Sequence, residues 1–164
     1  MDPRHHQSLD RRSQAAEFSL ERPDTPDATA LIDELESHLA SRYPAESRHG
    51  YNVEKLIREG VVFFVARIGT TPIGCGGVQL YGCECGELKR MYVRPSFRGR
   101  GLGRQMLEQL AAHAAAHGVA LLRLETGVHQ IEAIALYEAF GFRRRQPFPP
   151  YREDPLSVFF EKRL

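Results

Sequence analysis

Apolar and polar positions begin to alternate at Phe18 and Leu20, where a short strand is expected before the Glu21-Arg22-Pro23 break. From Pro26 the spacing becomes helical, with Ala30, Leu31, Leu35 and Leu39 on one stripe and an end expected near Tyr43-Pro44. A short second helix is predicted over Val53 to Glu59, with Asn52 as its N-cap and Gly60 as its stop. The run VVFFVARI from Val61 is β-branched and aromatic. Gly69-Thr70-Thr71-Pro72 then supplies turn chemistry before Ile73 to Tyr81, which predicts an antiparallel hairpin. Gly74, Gly76 and Gly77 in its second arm point to a bulge or a close backbone approach. Glu87 to Val93 reads as a further strand, ended by Pro95.

Gly101 to His117 is predicted helical, with Leu102, Met106, Leu107, Leu110 and Ala114 on one face and Gly118 at the C-terminal cap. Val119 to Glu125 starts as a near-continuous apolar run, the mark of a buried strand. Gln130 to Phe140 is a helix apolar around most of its circumference, ended by Gly141. Phe142 opens another strand, and beyond Pro147 to Pro150 a last strand covers Ser157 to Lys162. Residues 1 to about 15 have no hydrophobic period and read as a disordered leader, which leaves residues 16–164 as one domain. The order β-α-α-β-β-β-α-β-α-β-β is an α+β arrangement with mixed pairing and no internal repeat.

Length and composition narrow the function classes. At 164 residues the chain holds one domain of the usual size of roughly 150 residues. Lys plus Arg is 22 against 21 for Asp plus Glu, a net charge of +1, so the overall field is too weak to mark a nucleic-acid binder, and any anion site must be local. The longest apolar run, Val61 to Ala66, is far short of the roughly 20 residues of a membrane-spanning helix. No apolar stretch follows the basic N-terminus, so neither membrane partner nor secretion is expected, and a cytoplasmic location follows by default. Cys75, Cys83 and Cys85 form no disulfide scaffold, and they lack the four ligands and spacing of a zinc site; no metal is expected. His113 and His117, four apart on one helix, have no acidic partner in the motif and read as exposed helix residues, and Arg143-Arg144-Arg145 reads as a solvated face.

The most informative segment is Arg94-Pro95-Ser96-Phe97-Arg98-Gly99-Arg100-Gly101-Leu102-Gly103-Arg104, between a strand and a helix N-terminus. Glycines allow backbone N–H groups to approach a ligand, a helix start adds unpaired donors, and arginines add charge-assisted ones, so phosphate is the natural guest. Gly103-Arg104-Gln105 lacks the Gly-Lys-Ser/Thr end of a nucleotide-triphosphate loop, and the glycine spacing from Gly99 is not that of the dinucleotide fingerprint. The segment resembles the acyl-CoA pyrophosphate loop of the GNAT superfamily of N-acetyltransferases, Arg/Gln-x-x-Gly-x-Gly/Ala after Val-x-Pro: here Arg98-Gly99-Arg100-Gly101-Leu102-Gly103 follows Val93-Arg94-Pro95. A second superfamily signature is matched by Gln130-x-x-Ala133, Leu136-Tyr137 and Gly141-Phe142, with glutamine in place of the usual asparagine. Leu124-Glu125-Thr126-Gly127 and Asp154-Pro155-Leu156-Ser157-Val158 look like a bacterial subgroup thought to act on small molecules.

The resemblance runs from about Phe18 to the C-terminus. It implies the GNAT acyl-CoA N-acyltransferase fold, a mixed central sheet of about six to seven strands flanked by about four helices. It implies acetyl-CoA as co-substrate, held by the main chain of Met91, Tyr92 and Val93, by Arg98, Gly99, Arg100, Gly101, Leu102, Gly103 and Arg104, and by Gln130 and Ala133. The reaction implied is direct attack of a primary amine on the thioester in a ternary complex, with Tyr137 as proton donor to the thiolate and Glu87 as base. The acceptor expected is a small-molecule amine. Acetylation of a protein N-terminus or lysine, and a non-catalytic acyl-CoA sensor, are the alternatives, and a homodimer stays open.

Overall fold

A computed structural model describes residues 15–164, so the expected leader, its last position excepted, lies outside the described residues. The elements are β1 (Glu17–Leu20), α1 (Pro26–Ala40), α2 (Val53–Arg58), β2 (Val62–Ile68), β3 (Thr71–Tyr81), β4 (Cys85–Val93), α3 (Leu102–Ala116), β5 (Leu121–Gly127), α4 (Ile131–Phe140), β6 (Arg143–Arg145) and β7 (Ser157–Arg163). The strands form one seven-stranded sheet in the order β1-β2-β3-β4-β5-β7-β6. Every neighbouring pair is antiparallel except β4 with β5, whose parallel pairing requires the α3 crossover between them.

Local chemistry sets the element ends. Thr25 caps α1 by accepting from the Ala28 N–H at 3.3 Å, and Asn52 caps α2 by accepting from the Lys55 N–H at 2.8 Å. The strand expected from Glu87 begins earlier, because Gly82 turns with φ +58° and lets Cys85 and Gly86 pair with Tyr81 and Leu80. Strand alternation divides the core between the sheet's two faces. Phe63 and Val65 of β2 pack with Leu31, Ile32 and Leu56 of α1 and α2, while Phe64 and Ala66 pack with Met106, Leu107 and Leu110 of α3.

The bulge expected in the glycine-bearing arm is present, since Ala66 faces Gly74 and Arg67 faces Pro72, which leaves Ile73 of β3 as an extra residue beside Gly74, and a second bulge lies across from Gly76. Cys75 faces Tyr92 and Gly77 faces Lys89, so Gly76 alone opposes both Arg90 and Met91, and the extra residue belongs to β4. A Cβ on Gly76 would lie 2.8 Å from the Met91 sulfur and 3.0 Å from Met106 Cγ, so any larger residue there would have to displace these side chains. Arg90 carries the strain at φ +53°, and the bulge turns its side chain to the α1 face instead of the α3 face.

Because Leu110 is fully buried in the α3 stripe, Leu110→Ala is expected to destabilise the chain by about 2–5 kcal/mol, read as a lower midpoint in urea unfolding.

Candidate active site

The β4–β5 ladder consists of two pairs, Gly86 with Leu122 and Glu87 with Arg123, and then stops. Beyond it, Leu88 to Val93 pair only with β3 and Leu124 to Gly127 only with β7, which leaves a cleft inside the sheet. On one side lies a cavity of about 500 Å³, lined by Met91, Tyr92 and Val93 from β4 and by Arg98, Gly99, Gly101, Leu102, Gly103 and Arg104 from the loop and α3. From α4 and its cap come Gln130, Ile131, Ala133, Leu136 and Tyr137. The apolar circumference of α4 is thereby explained: Tyr137 is its only buried residue, and Ile131, 75% exposed, faces the cleft instead of a core.

The loop is built to leave backbone donors open. Gly99 and Gly101 both have φ +77°, and nothing lies within 4 Å of the position a Cβ would take on either. No side chain caps the start of α3, so its first-turn N–H groups face the cleft at the positive end of the helix dipole. Gly103 has another role: a Cβ there would sit 2.7 Å from Leu136 Cδ2, so this glycine lets α3 and α4 approach. Arg98 donates from Nε to the Val93 carbonyl at 2.9 Å, and Arg104 pairs with Glu108 at 3.4 Å. Arg100 does not line the cleft; its guanidinium lies over the Phe97 ring, 5.3 Å from the centroid. Gln130 accepts at Oε1 from His38 Nε2 at 3.3 Å, while its buried Nε2 has no hydrogen-bond partner and is a spare donor in the cleft wall.

A second cavity of about 120 Å³ opens on the other side of the cleft, among Tyr43, Arg48, His49, Gly50, Lys89, Arg90, Glu125 and Thr126. The two cavities share Leu35, Met91, Gln130, Ala133 and Tyr137, so they meet along these residues. Burial, helped by the nearby Glu125 charge, raises the Tyr137 pKa and keeps its hydroxyl protonated at neutral pH. The ring is fixed edge-on to Phe142 at 5.8 Å and tilted to Phe160 at 6.2 Å.

Glu87, expected as the base, lines neither cavity. It stands where β4 and β5 still pair, so no gap exists beside it; it is 1% exposed, ion-paired to Lys89, and accepts from the Tyr151 hydroxyl at 3.1 Å. The carboxylate that reaches the smaller cavity is Glu125 of β5, whose pKa is raised by burial against the opposing pull of Ser157, His49 and Lys89. Lys89 lines the same cavity, its pKa lowered by burial despite the attraction of Glu87, and its ammonium lies 4.0 Å from the Tyr51 ring centroid.

The acetyltransferase (GNAT) family pattern fits residues 28–142. The chain belongs to the GNAT family. It is 46% identical over 135 residues to the IAA acetyltransferase of Azospirillum brasilense, covering 82% of this chain and 88% of that protein. It is 36% identical over 137 residues to the uncharacterized N-acetyltransferase YsnE of Bacillus subtilis, covering 82% and 91%. A putative acyl-CoA N-acyltransferase structure from Klebsiella pneumoniae superposes with a TM-score of 0.78 at 34% identity, covering 93% of this chain and 99% of that one.

As a GNAT protein the chain is an acetyl-CoA-dependent acyltransferase, and its cleft suits that co-substrate. Open glycine backbone and an uncapped α3 start match a pyrophosphate, and the free edge of β4 together with the spare Gln130 donor matches an amide-bearing arm. A GNAT family acetyltransferase from Elizabethkingia anophelis, with acetyl-CoA bound, has the same fold at a TM-score of 0.66, 20% identity and 91% and 98% coverage.

Sequence reasoning gave no role to Arg48, His49, Lys89 or Arg90, and met Glu125 only inside the Leu124-Glu125-Thr126-Gly127 resemblance, with no catalytic role. A signal was present in Glu87-Leu88-Lys89-Arg90, three ionisable residues in a strand otherwise fit for burial. Arg145, read as part of a solvated face, instead pairs with Glu161 at 2.8 Å and lies over the Phe148 ring.

Proposed function

We propose that the chain transfers the acetyl group of acetyl-CoA to a primary amine of a small molecule by direct attack, with both substrates bound together. The observation carrying this reading is the junction of two unequal cavities at Tyr137, with Glu125 on the smaller side alone. Acetyl-CoA, when bound, supplies the activated acyl group as a thioester. Glu125 accepts the ammonium proton of the acceptor at its carboxylate, which releases the lone pair for attack. Tyr137 holds a proton on Oη for the departing sulfur, and its raised pKa keeps that proton in place until a thiolate forms. Met91, Tyr92 and Val93 offer main-chain groups along the free β4 edge. Glu87 positions Lys89 by the buried ion pair. The small acceptor cavity favours a small molecule over a folded protein surface. An amine panel with detection of released CoA thiol tests the activity, and no release with any amine while acetyl-CoA binds would overturn it.

The proton route has its own test. Glu125→Gln is expected to lower turnover by about 10²-fold to 10⁴-fold and to remove the acidic limb of the kcat/KM profile. That limb lies above the usual carboxylate value of about 4.3, since burial raises the Glu125 pKa. A raised folded-state pKa means that the protonated form is the one the fold favours. Its contribution to stability is complete below the unfolded pKa and is lost as pH rises through the folded pKa. Glu125→Gln therefore melts at or above the wild-type temperature at pH 8. Glu87→Gln is the control, expected to keep the limb; if it removes the limb and Glu125→Gln does not, Glu87 is the base.

A further inference from the structure

The smaller cavity has two walls of opposite charge. One is made by the loop at Arg48 to Gly50 and the bulge at Arg90, the other by Glu125 on β5. Arg90 and Arg48 share one carboxylate: Arg90 Nη2 donates to Glu36 Oε2 at 2.9 Å and Arg48 Nη1 donates to Glu36 Oε1 at 2.7 Å. Two guanidinium groups against one carboxylate leave one positive charge unbalanced. Lys89 adds nothing to the excess, because Glu87 matches it.

Both arginines also keep spare donors. Arg90 donates from Nε to the Tyr51 carbonyl at 2.7 Å, yet its buried Nη1 has no partner, and neither does the buried Nε of Arg48. The Arg90 side chain is only 4% exposed, so an unused N–H on it is costly, and a ligand in the cavity reaches that N–H only when the guanidinium shifts toward it. The strained φ of Arg90 and the absence of a Cβ on Gly50, which would fall on the Arg90 guanidinium, together hold this charge against the cavity wall.

We propose that the acceptor is an amino acid, a molecule with a carboxylate and a primary amine, whose carboxylate is taken by Arg48 and Arg90 while its ammonium faces Glu125. Guanidinium groups suit this task, since their fixed donors match the two oxygens of a carboxylate. The amino acid's side chain leaves through the opening at Arg48, His49 and Gly50 into an outer vestibule of about 530 Å³ bounded by Tyr51, Lys55 and Tyr151. The proposal rests on the smaller cavity being the acceptor site of the reading above.

The test uses α-, β- and γ-amino acids, each beside its own carboxamide, which keeps the amine and removes the negative charge. Binding is measured by calorimetry without acetyl-CoA, and turnover separately by released thiol. At least one amino acid should bind more tightly than its carboxamide by roughly 10-fold to 100-fold, the worth of a hydrogen-bonded charge. Arg48→Gln should erase that preference. Gly50→Ala, whose Cβ would fall on the Arg90 guanidinium and push it from its place beside Glu36 without removing it, should do the same and guards against a failure of Arg90 variants to fold. Both variants should raise KM for the amino acid and leave KM for the carboxamide near wild type. Equal or undetectable binding of every pair, or a preference that survives in both variants, overturns the proposal. Selective binding of carboxylates with no acetyl transfer to any of them supports the charge reading and overturns the proposed transfer.

Discussion

Tyr137→Phe is expected to fold normally, bind acetyl-CoA with near wild-type affinity and turn over about 10²-fold to 10⁴-fold more slowly. The substitution removes one oxygen and keeps the ring against Phe142 and Phe160, so the packing that fixes α4 is unchanged. The oxygen lost belongs to a residue that lines both cavities. A donor with a more acidic thiol needs less protonation to leave, so the rate deficit should shrink with such a donor. Single-turnover rates for both proteins on both donors measure this. Equal rates on acetyl-CoA, with the chemical step limiting, would leave Tyr137 a packing residue.

Gly101→Asp is expected to weaken cofactor binding severely while leaving the fold intact. Gly101 is the N-cap of α3 at φ +77° with open space around its Cβ position, and aspartate is among the residues that tolerate such a backbone and cap helices well. The added carboxylate occupies the helix start and takes up first-turn N–H groups that a pyrophosphate needs. Loss of about two charged hydrogen bonds, each worth roughly 1.5–3 kcal/mol, corresponds to roughly 10²-fold to 10⁴-fold in affinity. Calorimetry with acetyl-CoA, beside a melting curve, measures both halves; a folded variant with wild-type affinity would move the phosphate site elsewhere.

The Gly99-to-Arg104 loop could be read from the chain because its chemistry is local: glycine conformation, a strand before and a helix after are all encoded within a few residues. The same holds for α3 and its buried stripe. Glu87 shows where local reading stops. Its position on β4 follows from alternation, but its usefulness as a base depends on where the β4–β5 ladder ends, and that is decided by pairing between strands far apart in sequence. Two residues further along β4, Lys89 reaches the cavity, and across the gap Glu125 does. Arg90 was hidden for a related reason. A bulge shifts the alternation by one residue, so a side chain that strict period-two counting sends to the α3 face arrives beside Glu36 on α1.

The short β4–β5 ladder makes the sheet two plates joined at one end, with a seam of backbone groups between them that no neighbouring strand pairs. A ligand lodged in that seam acts as a mortar joint: its binding energy adds to the resistance of the whole chain to unfolding, by about 2.7 kcal/mol at one hundred times its dissociation constant. Amides bordering the seam on β4 should then exchange with solvent fastest in the free protein and slow on saturation. Susceptibility to proteolysis should follow the same balance, so the saturated protein is expected to resist digestion longer than the free one.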